Sequence, residues 1–196
     1  MNLFTLNDPS SPLSLLRSRR SAKARTLSAP GPDAAELADI LAIASRVPDH
    51  GKLAPWRFVV IDHRDAFAAL LQRLWRAEYP ESAATDLAAL DRFAHEAPTL
   101  VTLLFQPQPG PIPVFEQQLS TGAAGMNLLL AAHSLGYAGC WLTGARATLP
   151  GLADALGVAG GQVAGFFFLG TPTVPPAERL RPAPEDVVLH WRGPAA

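Results

Sequence analysis

Cysteine is almost missing from this 196-residue chain, and Cys140, standing alone, excludes an internal disulfide. That scarcity fits a reducing compartment, so the cytoplasm is the expected location. An excess of one charge is lacking too: 16 Lys and Arg against 17 Asp and Glu leave a formal net charge of -1. Without a basic excess there is no electrostatic footprint for nucleic acid or for an anionic membrane surface, and neither is an expected partner. No stretch of about 18 apolar residues runs without polar interruption, and Met1–Asp8 has neither the basic start nor the apolar centre of an export signal.

Several familiar chemistries are missing as well. No G-x-G-x-x-G follows a strand, since Gly157-Val158-Ala159-Gly160-Gly161 has the wrong spacing, and there is no Walker A or G-x-S-x-G sequence. His50, His63, His95, His133 and His190 never come within metal-ligand spacing of one another or of Cys140, so no metal is expected. What remains is 48% hydrophobic and 17% charged, the composition of a single globular domain over residues 1–196.

Helix signals are clear in the first quarter. Ser11 caps a helix with Pro12 in its first turn, and Leu13, Leu15 and Leu16 lead into Arg17-Ser18-Arg19-Arg20-Ser21. Asp33 and Glu36 form a capping box, and Leu37, Ile40, Leu41 and Ala44 recur at helical spacing until Pro48, which places Arg46 and His50 at the exit. Buried strands are predicted at 57–62, 99–105 and 163–170, helices near 64–78 and 83–96, and a short strand from Tyr137. The stretch 114–135 reads as one long helix, apolar nearly all round, closed by Gly136. Thr148-Leu149-Pro150 is expected to start another short helix and 187–191 to form a last strand. A tail with Pro175, Pro176, Pro182 and Pro184 is expected to pack on a partner subunit.

Two basic segments stand out as walls of one anion site. Paired guanidinium groups beside a hydroxyl, as in Arg19-Arg20-Ser21, suit a phosphate, because each guanidinium donates two parallel hydrogen bonds and the serine adds a third. The same residues would also serve as a solvated helix end, and Arg46-Val47-Pro48-Asp49-His50 as an ordinary helix stop. Trp141 suits either a core or a ligand wall, and His133, on an apolar helix, suits a partner of the backbone better than a catalyst.

The order of segments carries more than any of them singly. Arg19-Arg20-Ser21, Arg46-Val47-Pro48-Asp49-His50, Pro55-Trp56-Arg57-Phe58, a small-residue helix with Asn127, Gly139-Cys140-Trp141-Leu142-Thr143-Gly144 and Leu169-Gly170-Thr171-Pro172 follow one another. In this the chain resembles the FMN-dependent nitroreductase family, in its compact YdjA-type branch, from about Leu15 to Trp191. The resemblance implies an α+β fold with helices around a mostly antiparallel sheet, and a homodimer with FMN at the subunit interface. It implies that Arg19, Arg20 and Ser21 hold the phosphate and ribityl chain, with Arg181 in the tail reaching the same phosphate. Arg46 and His50 would lie along the flavin ring, and Trp141, Leu142, Thr143 and Gly144 would wall it. NADH or NADPH would dock near Ala131, Ala132, His133, Ser134, Leu135 and Gly136.

On this resemblance the activity is hydride transfer from NAD(P)H through FMN to a nitroaromatic, quinone or similar flat small-molecule acceptor, in a ping-pong cycle. The cofactor carries the chemistry, so no catalytic residue of the chain's own is required. A non-catalytic flavin-storing dimer is the alternative. Three positions depart from the family pattern: Leu53 and Ala54 stand where polar residues are usual, and Leu142 where the branch has an arginine.

Overall fold

A computed structural model of the chain describes residues 5–193, so the first four residues of the Met1–Asp8 reading lie outside it. Five strands form one antiparallel sheet: β1 (Leu27–Ser28), β2 (Trp56–Val60), β3 (Thr99–Phe105), β4 (Ala138–Leu142) and β5 (Gln162–Pro172). β5 is the spine. Along one edge it pairs with β3, which in turn pairs with β2. Along its other edge Phe166–Gly170 pairs with β4 and Thr171–Pro172 with β1.

Among the described residues the helices are α1 (Pro12–Ser18), α2 (Ala34–Ala44), α3 (Arg64–Glu78), α4 (Ala84–Ala94), α5 (Val114–Ser134), α6 (Leu152–Ala155) and α7 (Pro184–Val187). Side chains alternate across a strand, so β5 feeds two cores at once. Phe166 and Phe168 point to one face, where Phe67 and Leu71 of α3 and Leu90 and Phe93 of α4 cover them. Phe167 and Leu169 point to the other, against Ile40 of α2 and Leu128 and Leu129 of α5. All four β5 side chains are completely buried, which explains an unbroken apolar run instead of an alternating one.

Local chemistry sets the helix ends as expected. Asp33 Oδ1 accepts from the Ala35 and Glu36 amides at 2.8 and 2.9 Å, and Glu36 Oε2 returns the bond to the Asp33 amide at 3.0 Å. The Tyr137 hydroxyl also donates to Glu36 Oε2, at 2.6 Å, which ties the start of α2 to the turn after α5. Gly136 ends α5 at φ +88°, a left-handed conformation that glycine adopts without steric cost.

Three expectations need correction. α5 is not apolar-buried all round: Phe115 and Leu119 are 66% and 57% exposed, and Gly122, Ala123, Met126 and Leu130 continue the same stripe half-covered. The short helix does not begin at Thr148, where a 3-10 turn over 145–148 ends; α6 starts at Leu152, after the left-handed Gly151. No strand forms at 187–191. Instead Asp186 accepts from the Ala183 amide at 3.3 Å and closes the single turn of α7, while Leu189 and Trp191 stay 92% and 87% exposed.

Candidate functional site

The C-terminal end of α1 gathers basic side chains from two distant parts of the chain. Arg19 Nη1 donates to Ser21 Oγ at 3.3 Å, and Arg20 Nε donates to the Ala177 carbonyl at 2.8 Å. From the tail, Arg181 Nη2 donates to the Arg19 carbonyl at 3.3 Å and to Glu178 Oε1 at 3.1 Å, an oxygen that lies 4.0 Å from Arg20 Nε. The tail from 172 to 181 therefore touches its own protomer at Thr173, Ala177 and Arg181, and any packing on a partner subunit would come in addition to these contacts.

Charge in this cluster is unbalanced. Burial, and then the charges of Arg181, Arg179 and Arg20, hold the Arg19 guanidinium below its ordinary value. The Arg179 amide, followed by the charges of Arg181 and Arg20, draws Glu178 below the usual carboxylate range. Arg19, Arg20 and Arg181 thus gather around one carboxylate, a donor set that fits a doubly charged phosphate monoester.

Arg46 and His50 sit elsewhere, on the flank of α5. Asn127 Nδ2 donates to the Arg46 carbonyl at 2.9 Å, and His50 Nδ1 meets Glu116 Oε2 at 2.7 Å, both side chains being largely exposed. Just after them the backbone is tightly turned: Gly51, Lys52 and Ala54 all have positive φ, +76°, +55° and +45°. Ala54 donates its amide to Asp49 Oδ2 at 2.8 Å, which holds a conformation that an alanine does not favour.

The third wall is split. Trp141 turns its indole inward, donating to the Ala164 carbonyl at 3.0 Å and packing on Phe167 with ring centres 5.0 Å apart. It fits only because Gly125 and Gly165 carry no side chain: a Cβ on Gly165 would stand 1.9 Å from its Nε1. Leu142 packs on the core face beside α3 and α4, while Thr143 and Gly144 are exposed. Arg146, four residues on from Leu142, has its guanidinium 4.5 Å above the Phe93 ring and does not replace the missing branch arginine at the α1 cluster.

The segment expected to receive a nicotinamide divides in two. Ala131, Ala132 and His133 are 3%, 0% and 1% exposed and offer no surface, because this side of α5 faces the sheet. Ser134, Leu135 and Gly136 are accessible. His133 Nδ1 bonds the Leu129 carbonyl, and burial holds its imidazole below the ordinary value, so the ring is neutral. Its ring lies beside the Arg19 charge and the Arg20 backbone, at the edge of a cleft of about 600 Å³ that Asn7, Gly136, Tyr137 and Thr173 also line.

The structure thus unites Arg19, Arg20, Ser21 and Arg181 and leaves Arg46 with His50, and Trp141 with Leu142, Thr143 and Gly144, in separate groups. Asn7, Glu116, Glu178 and Arg179 escaped the sequence reading. A signal for two of them existed in Glu178-Arg179-Leu180-Arg181, a charged run inside a proline-rich tail. Among the described residues, no three His, Cys, Asp or Glu side chains gather as a metal site, and no helix is long and apolar enough to cross a membrane.

Helices on both faces of this antiparallel sheet define a nitroreductase-like fold. A nitroreductase-like family protein from Bacillus cereus superposes with a TM-score of 0.81 at 20% identity, over 94% of this chain and 97% of its own. A nitroreductase from Bacteroides fragilis, solved with bound FMN, does so with a TM-score of 0.66 at 20% identity, over 98% of this chain and 100% of its own. In sequence, YdjA of Escherichia coli strain K12, named as an NAD(P)H nitroreductase, is 33% identical over 184 residues, 91% of this chain and 98% of its own. The Nitroreductase family model matches residues 16–171, and the chain belongs to that family.

Proposed function

We propose that this protein is an FMN-dependent NAD(P)H oxidoreductase that acts as a homodimer. The observation that carries the reading is the cluster at the end of α1, where Arg19, Arg20 and Arg181 gather around one carboxylate in a family and fold shared with an FMN-bound nitroreductase. Arg19, Arg20 and Arg181 would hold the phosphate with charge-assisted hydrogen bonds, and Ser21 would add its hydroxyl.

Geometry supports two copies per site. Glu116, the partner of His50, and His133, the neighbour of Arg19, are 17 residues apart on α5. At a rise of 1.5 Å per residue that is roughly 25 Å, longer than an extended FMN. A separation of that size favours a reading in which His50 and the arginines of one chain line different flavins. A second copy running antiparallel along the exposed stripe of α5 would bring its own His50 toward the first copy's arginines.

Bound FMN supplies the hydride chemistry, taking a hydride from NADH or NADPH and passing two electrons to a flat acceptor such as a nitroaromatic or a quinone. The protein's part is to anchor the phosphate, hold the ring, and leave one face open to donor and acceptor in turn, which gives ping-pong kinetics. Arg46, held by Asn127 at its backbone carbonyl and exposed, would use its guanidinium to stabilise negative charge on the reduced ring. Of the nicotinamide segment, Ser134, Leu135 and Gly136 remain available for docking.

The visible spectrum of the purified protein tests this reading, recorded before and after adding NADPH and then NADH without oxygen. Flavin bands that bleach, and return on adding a quinone, are expected. Bands that persist with both donors would favour a flavin-storing dimer, and a protein colourless after incubation with FMN would overturn the reading.

A further inference from the structure

The turn that carries the arginines is tied down by a segment outside the family match, which begins at residue 16. The Asn7 amide donates to the Ser18 carbonyl at 3.1 Å, and Asn7 Oδ1 accepts from the Arg20 amide at 2.7 Å. Next to it, the Asp8 amide donates to Ser18 Oγ at 2.9 Å, and that hydroxyl donates to the Ser14 carbonyl at 2.7 Å. Asn7 takes φ +57°, a left-handed conformation that asparagine tolerates better than most residues. In that conformation one residue grips the chain on both sides of Arg19.

Two consequences favour an anion here. The last carbonyls of a helix have no partner within it and carry the negative end of its dipole, so the end of α1 is intrinsically a poor place for a phosphate. By donating to Ser18, Asn7 takes up one of those carbonyls. Fixing the Ser18 carbonyl and the Arg20 amide also fixes the backbone of Arg19 between them, so both guanidinium groups leave from set positions before any ligand arrives. Ordering completed in advance is not charged against binding.

We propose that Asn7 is a positioning residue for the anion site, presetting Arg19, Arg20 and Ser21 for the phosphate of FMN. This rests on the flavin reading above. The grip acts on the phosphate end of the ligand alone, so it predicts selectivity between FMN and riboflavin, which shares the ring and lacks the phosphate.

Asn7→Gly removes the side-chain acceptor while permitting the positive φ; Asn7→Ala loses both. Dissociation constants of FMN and of riboflavin for the flavin-free wild type and the two variants, measured by quenching of flavin fluorescence, decide the matter. Asn7→Gly is expected to bind FMN about three- to tenfold more weakly, the worth of one net hydrogen bond, with riboflavin unchanged. Asn7→Ala should lose at least as much. Unaltered FMN binding in both variants would overturn the proposal, as would an equal loss for both flavins, which would make Asn7 a support of the fold at large. A wild type that takes up neither flavin would instead bring down the flavin reading and this inference with it.

Discussion

His133 shows how a single buried side chain links the site to the stability of the fold. Burial first, and then the nearby Arg19 charge, hold its imidazole below the ordinary 6.5, against the opposing pull of its bond to Leu129. The unfolded chain therefore binds the proton more readily than the folded one. The stability this residue contributes is complete above pH 6.5 and is lost as pH falls through the lower folded value. Thermal unfolding from about pH 8 to pH 5 should show a melting temperature that drops below pH 6.5, and His133→Gln should flatten that part of the curve. Parallel curves for the two proteins would show that the proton on His133 does not enter the balance. Acidification should also strain the Arg19–Arg20 turn, because a new cation would arise beside the Arg19 charge.

At the level of strands and helices, the tightest constraint is the slot that β4 and β5 make for Trp141. A methyl group on Gly165 would meet the indole Nε1 at 1.9 Å and Cδ1 at 2.3 Å, and Gly125 closes the slot from α5 against the same ring. Gly165→Ala must expel or tilt the ring and break its bond to Ala164, so a loss on the order of 1 to 3 kcal/mol is expected in urea unfolding. A variant as stable as wild type would mean that the slot has room to spare. This constraint could not be read from the sequence, because it depends on contacts among residues 40, 24 and 16 positions apart. Elements governed by near neighbours were legible: the Asp33–Glu36 capping box, the Gly136 stop, and β3 and β5, whose apolar runs reflect burial on two faces. β1 was missed because two residues paired only with β5 leave no periodic signal. The strand expected at 187–191 had the right composition but no neighbouring strand to pair with. Likewise Arg19, Arg20 and Ser21 announced themselves by type, whereas the ties from Asn7 and Ala177 to Arg20 span 13 and 157 residues and leave no mark on sequence spacing.

For the molecule as a whole, the question is what covers α5. Phe115, Leu119, Gly122, Ala123, Met126 and Leu130 form a continuous apolar stripe, and a side chain on Gly122 would meet nothing within 4 Å. A small-residue centre with large flanking side chains suits close approach of a second helix. On the proposed reading each site would draw on both copies, so Leu119→Glu should give a monomer in sedimentation equilibrium and abolish flavin retention in the same step. A variant that is monomeric yet still yellow would show that one chain completes the site. Cys140 gives such work a practical basis. Its thiol is 3% exposed, and burial, then the charge of Glu96, pushes it up to about 12, far from the reactive thiolate form. The native chain is therefore silent toward maleimides and disulfide exchange, and a cysteine placed anywhere on its surface would be the sole reactive handle for a cross-linker, a spin label or a dye.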